Sequence, residues 1–313
     1  QDLARLGARF IDLVIVNLYP FEEVAKNPLA PLAELIENID IGGPSMVRSA
    51  AKNHERVTVV VDPADYERIL AEIDRDGEVS RETRLELAAK AFAHTAAYDA
   101  AISGLLSGPR AEGADATLGA NPYPRFLTLP FERAYGLRYG ENPHQSGAFY
   151  IERSAPVGSI ARAESRGAGG KELSFNNLVD ADAALEAVRE FERPAAVVVK
   201  HTNPCGVAAA ATLAQAYRIA RDADALSAFG GIVALNRDVD AETATILAET
   251  FLECVVAPSF SADALSILRA KKNLRLLATG GPDPEHAPLQ FKRVSGGLVV
   301  QSRDDGAAGQ VER

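Results

Sequence analysis

Two stretches of the chain combine side chains able to move protons or hold anions. In NIDIGGPSMVRSAAKNH, Asp40 stands just before Gly42, Gly43 and Pro44, and Tyr19 closes the run VNLYP upstream. Lys52 follows about two turns into a helix read from Ser45. Glycines ahead of a helix leave backbone N–H groups unpaired where the helix dipole is positive, which suits an anion. An ordinary tight turn that starts a helix has the same text. If strand ends and helix starts share one rim of a parallel sheet, the carboxylate, ammonium and phenol meet there and can transfer protons and stabilise an oxyanion.

The second stretch is VVVKHTNPCG, with Lys200 and His201 at the carboxyl end of an apolar strand and Asn203, Pro204 and Gly206 turning the chain after them. In open α/β sheets such ends face the ligand crevice. A lysine reaching solvent and a histidine capping the strand is the competing reading. Three further blocks fit a flat, phosphorylated ligand. Arg138 and Tyr139 in LRYGENPHQ suit a phosphate and a stacked heterocycle. Asn176 and Asn177 in SFNNLVDADAAL can read the donors and acceptors of a base-like ring, and Asn177 can equally cap a helix. Phe229 and Gly230 in SAFGGIVALN let backbone approach a planar group, although the phenylalanine also fits a core.

The elements that must position these residues alternate between strand-like and helical patterns, which implies α/β architecture with parallel sheets covered by helices. FIDLVIVNLY, RVTVVVD, AAVVVK, GGIVALN, ECVVAP, LRLLA and GGLVVQ read as strands. Helices are expected near 32–39, from Ser45, from Pro63, and over 211–222, 241–251 and 261–272. Ser80 is expected to cap a long helix whose Leu85, Ala88, Phe92 and Ala96 form the packing stripe, with Gly108 and Pro109 ending it. The aperiodic Gly/Ala/Pro/Asp text after it reads as a linker, dividing the chain into 1–108, a linker over 109–125, and 126–313. At 313 residues and 47% hydrophobic the chain can bury a sizeable core. Its apolar runs are too short to span a bilayer, so no membrane partner is expected. A net charge of −10 argues against general nucleic-acid binding. Two cysteines make no disulfide framework and no zinc spacing, which fits a reducing, cytoplasmic setting and no bound metal. The start at Gln1, close to a strand, reads as a cut inside a longer chain.

VNLYPF, NIDIGGPSMVRSAAKNH, LRYGENPHQ, VVVKHTNPCG and SAFGG, in this order, resemble the bifunctional family that combines AICAR transformylase with IMP cyclohydrolase, the second activity covering the early blocks and the first the stretch from Phe126 to Gln301. The resemblance implies a truncated methylglyoxal-synthase-like parallel-sheet domain followed by a cytidine-deaminase-like α/β/α domain without the deaminase zinc. It implies de novo purine synthesis: formyl transfer from 10-formyltetrahydrofolate, a co-substrate, to AICAR, then ring closure of formyl-AICAR to IMP. Tyr19, Asp40 and Lys52 match the cyclohydrolase site, with Gly42 and Gly43 beside them. His201 matches the transformylase base and Lys200 the residue that stabilises the oxyanion or protonates the leaving folate nitrogen. Arg138, Tyr139, Asn177, Phe229 and Gly230 match nucleotide-binding positions, and Glu253 stands where relatives carry Asp or Glu. Ala225 departs from a usual proline. The family's upstream phosphate-binding segment, its KTLHP-like lysine and a second transformylase subdomain have no counterpart in this text. The expectation is therefore a fragment of a homodimeric parent with weak or no activity, an inactive nucleotide-binding or structural remnant being the alternative.

Overall fold

The computed structural model describes residues 5, 7, 9–27, 29–108, 123–153, 155–281 and 289–304. Most of the stretch read as a linker lies outside the described residues. The chain forms two compact units, Gln1–Pro130 with Ala287–Arg313, and Phe131–His286.

In the first unit, β1 (Leu13–Ile15) pairs in parallel with β2 (Thr58–Val60), Leu13 opposite Thr58. Between them lie three helices, α1 (Phe21–Ala25), α2 (Leu32–Glu37) and α3 (Gly42–Lys52). After a 3-10 turn at Pro63–Asp65 come α4 (Tyr66–Asp76) and α5 (Arg81–Leu106). The Ser80 side chain accepts the Thr83 N–H and so caps α5, as its sequence position implies. Of the expected packing stripe only Ala88 is buried. Leu85, Phe92 and Ala96 are exposed, and α5 instead buries Leu87, Ala88, Ala91, Thr95 and Tyr98. Ala88 and Ala91 join Val47, Ala50 and Ala51 of α3 and Val57, Val59 and Val61 around β2 in one core cluster. Small residues let the two helices come close, so the narrow alanine face is chosen over the bulkier one.

Helix α3 begins earlier than expected, at Gly42 rather than Ser45. Its first turn is closed by Asp40, whose Oδ1 accepts the Gly43 N–H at 2.7 Å. A Cβ on Gly43 would lie 2.5 Å from Asp40 Oδ2 and 2.7 Å from Leu18, whereas one on Gly42 would meet nothing within 4 Å. This unit also carries the antiparallel hairpin β11 (Leu289–Val294) and β12 (Gly297–Ser302), of which only the second strand is legible in the sequence.

The second unit holds a three-layer α/β/α arrangement. A hairpin of β3 (Phe131–Leu137) and β4 (Gly147–Glu152) leads through β5 (Glu164–Ser165) to α6 (Phe175–Arg189). Then follow β6 (Ala195–Lys200), β7 (Asn203–Ala209), α7 (Leu213–Ala223), the short α8 (Ala225–Ala228), β8 (Ile232–Leu235), α9 (Ala241–Glu249), β9 (Cys254–Ala257), α10 (Ala262–Arg269) and β10 (Arg275–Ala278). The sheet order is β5-β10-β9-β8-β6-β7. Strands β8, β9 and β10 are parallel, while β6 runs antiparallel to both β7 and β8, so the sheet is mixed rather than wholly parallel. Residues alternate between its faces. Val198, Val233, Leu235, Val255 and Leu276 pack with Tyr217, Leu247 and Leu268 from α7, α9 and α10. Val197, Val199, Ile232, Ala234, Val256 and Leu277 pack on Leu178, Ala181, Leu185 and Val188 of α6. Each fully buried valine contributes about 1.5–3 kcal/mol. Both cysteines are free, Cys205 partly covered and Cys254 buried on β9, where burial pushes its thiol up to about 12.

Two glycine substitutions test this packing. A Cβ at Gly206 on β7 would lie 1.8 Å from the Ala220 carbonyl oxygen of α7, so Gly206→Ala is expected to cost at least about 2 kcal/mol and to lower the melting midpoint of this unit by about 5 °C or more in calorimetry. An unchanged midpoint would show that strand and helix separate freely there. Gly43→Ala is expected to destabilise the first unit by about 2 kcal/mol, with Gly42→Ala neutral or stabilising by up to about 1 kcal/mol. Equal effects from the two would refute the assignment of Asp40 as the group that crowds Gly43.

Candidate active site

Of the two clusters read from sequence, the one in the second unit falls along one edge of its sheet. Because β6 opposes β8, the carboxyl end of β6 meets the amino ends of the parallel strands: Val199 lies opposite Ile232, Ile232 opposite Cys254, and Cys254 opposite Arg275. Lys200 and His201 therefore stand at the rim where β8, β9 and β10 begin. They stand at the carboxyl end of their own strand, as expected, but that end lies among the amino ends of the parallel strands, because hydrophobic pattern is blind to strand direction. A cavity of about 350 Å³ lined by Leu185, Leu235, Asn236, Pro258 and Thr279 occupies the opposite rim, and no sequence-predicted site residue lines it.

At the motif rim, Lys200 Nζ donates to the Phe229 carbonyl at 3.1 Å. Phe229 is exposed and its ring stands 5.2 Å from that of Phe251, also exposed. Gly230 has φ +74, a conformation that glycine takes without strain, and its N–H donates to the Phe251 carbonyl. Glu253 lies immediately before β9, and its Oε2 accepts from Arg275 Nη1 at 2.8 Å and Asn177 Nδ2 at 3.2 Å. Arg275 is 7% exposed and spans two loops, since its Nη2 donates to the Glu172 carbonyl. Its Nε has no partner among the described residues.

Helix α6 supplies the opposite wall. Asn177 is the third residue of a capping box with Ser174, its Oδ1 accepting the Ser174 N–H at 3.0 Å and its own N–H reaching Ser174 Oγ at 3.3 Å. The helix-cap reading of Asn177 thus describes its carbonyl oxygen, and its amide holds Glu253. One turn later Asp180 accepts the backbone N–H groups of His201 (3.3 Å) and Thr202 (2.7 Å). Arg138 and Tyr139 follow β3 in a loop that reaches the start of α6, where Arg138 N–H donates to the Leu173 carbonyl and Phe175 N–H to the Tyr139 carbonyl. The Arg138 guanidinium lies 5.0 Å from the Tyr139 ring centroid, a cation–π contact. Asn176 Nδ2 donates to the Glu141 carbonyl.

Lys200 and Asn203 close a two-residue hairpin turn in which His201 has φ 55 and Thr202 φ 61. These are the only positive-φ non-glycine residues among the described ones. A β-branched residue there is unusual, and each such residue costs about 1–3 kcal/mol. Thr202 Oγ1 and Asn203 Nδ2 both donate to the His201 carbonyl, so every polar group of the turn's central peptide is held.

The first unit gathers its trio only in part. Both carboxylate oxygens of Asp40 are engaged by backbone, Oδ1 by Gly43 and Oδ2 by the Tyr19 N–H at 3.3 Å. The anion expected at this helix start is thus the chain's own carboxylate. A phenol that meets Asp40 is that of Tyr98: the Asp40 N–H donates to the Tyr98 hydroxyl at 2.8 Å, and that hydroxyl donates to the Asn38 carbonyl at 3.2 Å. Burial pushes the Tyr98 hydroxyl above its ordinary range, and the Asp40 N–H draws it back. Tyr19 is exposed. Lys52 is the last residue of α3, about 15 Å along the helix from Gly42, so it does not meet the other two. Since the helix starts at Gly42, the eleven residues to Lys52 carry its ammonium to the negative end of the dipole.

Sequence reading passed over Asp180, Arg275, Phe251 and Tyr98. Asp180 was findable as the residue one turn beyond Asn177, and Tyr98 as a phenol on a buried helix face that needs a partner. Among the described residues no group of His, Cys, Asp and Glu is arranged to hold a metal ion, and no helix is long and apolar enough to cross a membrane.

A family model described as AICARFT/IMPCHase bienzyme matches residues 50–312. The bifunctional purine biosynthesis protein PurH of Sorangium cellulosum (strain So ce56) is 70% identical over 312 residues, covering 99% of this chain and 60% of that protein. PurH of Bacillus cytotoxicus is 51% identical over 303 residues, covering 97% of this chain and 57% of its own. A solved structure, the crystal structure of ForH, is 40% identical, covers 32% of this chain and 53% of its own, and superposes with a TM-score of 0.29. The chain therefore spans 57–60% of the length of these curated relatives. With the family match running from within α3 to beyond β12 and taking in the whole rim of the second unit, the chain belongs to the AICARFT/IMPCHase bienzyme family.

Proposed function

We propose that this chain serves de novo purine synthesis, and that the rim of the second unit is an AICAR transformylase site. The observation that supports it best is the convergence of Lys200 and His201 with Phe229, Gly230, Glu253 and Asn177 along one edge of the sheet, with the Arg138–Tyr139 loop tied to the start of the same helix. In this reading the Arg138 guanidinium takes the substrate phosphate and Tyr139, Phe229 and Phe251 offer rings to its heterocycle. The exocyclic amine of AICAR attacks the formyl carbon of 10-formyltetrahydrofolate. As the new C–N bond forms and the bond to the folate nitrogen breaks, His201 takes the amine proton and Lys200 neutralises charge on the formyl oxygen or protonates the departing nitrogen. Glu253, clamped by Arg275 and Asn177, offers its other oxygen to a ligand N–H.

On the same reading, residues 1–108 belong to the IMP cyclohydrolase part, with methylglyoxal-synthase-like architecture, and 126–313 to the transformylase part, with cytidine-deaminase-like architecture. Tyr19, Asp40, Lys52, Gly42 and Gly43 then serve ring closure of formyl-AICAR to IMP. Because both oxygens of Asp40 accept from backbone and Lys52 lies at the other end of α3, any shared chemistry there depends on rearrangement of α3 or on further groups. The working form of the longer protein is a cytoplasmic homodimer.

Calorimetric titration of this chain with AICAR tests the assignment. Arg138→Ala is expected to weaken binding by about tenfold or more, about 1.4 kcal/mol. His201→Ala is expected to leave the Kd within a few-fold while removing whatever formyl transfer from 10-formyltetrahydrofolate the unsubstituted chain supports, general-base catalysis being worth about 10²–10⁴. AICAR binding indifferent to Arg138 would overturn the site, and binding without transfer would leave the chain a nucleotide-binding piece.

A further inference from the structure

The turn that carries His201 is held in an unfavourable backbone conformation from outside, and the residue that holds it lies on another element. Two-residue hairpins with both central residues at positive φ are ordinarily built from Asn-Gly or Gly-Gly pairs. Here the pair is His201, a type met there more often than most, and Thr202, a β-branched residue for which that region is a genuine outlier. Both of their N–H groups point at one carboxylate, that of Asp180, with Oδ1 on Thr202 at 2.7 Å and Oδ2 on His201 at 3.3 Å. Successive N–H groups in such a turn form a concave, positively polarised nest for an anion. Asp180 fills it from α6.

We infer that Asp180 is a positioning residue for the formyl-transfer site: its carboxylate keeps the His201–Thr202 turn left-handed and so sets where the His201 ring stands. The inference rests on the reading of His201 as the base. Asp180 makes no claim to touch substrate. Its helix is already fixed at the rim one turn earlier, where Asn177 is tied to Ser174 and Glu253. A rigid carboxylate on a packed helix therefore holds both N–H groups of the turn, while Thr202 Oγ1 and Asn203 Nδ2 hold only its His201 carbonyl. Charge-assisted hydrogen bonds to two backbone donors are among the stronger ones available. In its absence a threonine at φ 61 has reason to leave that region, and the adjacent His201 must move with it.

The test uses this chain carrying Asp180→Ala, Asp180→Asn and the double variant Asp180→Ala/Thr202→Gly, read by NMR. In Asp180→Ala, hydrogen exchange of the Thr202 amide is expected to rise by about tenfold or more, and the His201 ring resonances to shift, while the amides of Val197 and Val233 keep their protection. Asp180→Asn, which retains one acceptor oxygen, is expected to fall between. Glycine at 202 removes the cost of positive φ, so the double variant is expected to return the His201 ring resonances toward those of the parent. A general loss of fold would not be repaired by that change. Unaltered exchange at Thr202 in Asp180→Ala, or no return of the ring signals in the double variant, overturns the inference. AICAR binding that is indifferent to Arg138→Ala would refute the transformylase reading instead, and is scored independently of the exchange data.

Discussion

The antiparallel pairing of β6 with β8 is the constraint on which the second unit depends. Ala195 to Val199 are each 0% exposed, and alternate residues enter the two core clusters on opposite faces of the sheet. A slip of one residue would exchange those faces, so the register is set by burial on both sides at once. With the register set and the direction reversed, Lys200 emerges beside the start of β8, where the Phe229 carbonyl accepts its ammonium. Glu253 and Arg275, at the starts of β9 and β10, follow along the same edge because β8, β9 and β10 are parallel and in step. The chemistry-bearing residues share an edge because the strands that carry them cannot shift independently.

Core burial also accounts for the tolerance of strain at this edge. A left-handed His-Thr pair persists only where the surrounding structure overdetermines it. On one side β6 and β7 are laced by the antiparallel ladder from Ala195–Ala209 to Lys200–Asn203, and on the other α6 presents Asp180. Arg275 shows the same principle in charge. It is buried, and an unpaired buried guanidinium is costly, yet Glu253 and the Glu172 carbonyl meet it from two separate segments. Neither the turn nor the guanidinium is explicable from its own neighbours in sequence.

That non-locality marks what could be read from the sequence. AAVVVK, GGIVALN, ECVVAP and LRLLA are apolar on both faces and bounded by breakers, and each is a strand of the sheet. Ser80 sits where a cap must sit. Strand β7 was missed because NPCGVAA carries Pro204 and Gly206. It is an edge strand, the place where a proline is tolerated, and its glycine admits the Ala220 backbone. The β3–β4 hairpin was missed because FERAYGL is exposed along most of its length and shows no alternation. Strand direction was invisible throughout, since hydrophobic period is the same whichever way a strand runs. The α5 stripe, Ala88 apart, failed for another reason: Leu85 and Phe92 outweigh Ala88 and Ala91 on any hydrophobicity scale, while close approach to α3 selects the smaller pair.

The two acidic residues singled out by sequence illustrate how geometry separates similar candidates. Asp40 has both oxygens occupied by backbone donors, Gly43 at one and Tyr19 at the other, so it closes a helix start and joins it to a strand end. Each of its oxygens keeps a further acceptor position, but both are already turned toward the chain's own N–H groups. Glu253 takes both of its side-chain contacts on Oε2, from Arg275 and Asn177. Its Oε1 carries no side-chain partner among the described residues, and the side chain is 37% exposed. Of the two, Glu253 is the one with an oxygen that has no side-chain partner among the described residues, while both oxygens of Asp40 accept from backbone.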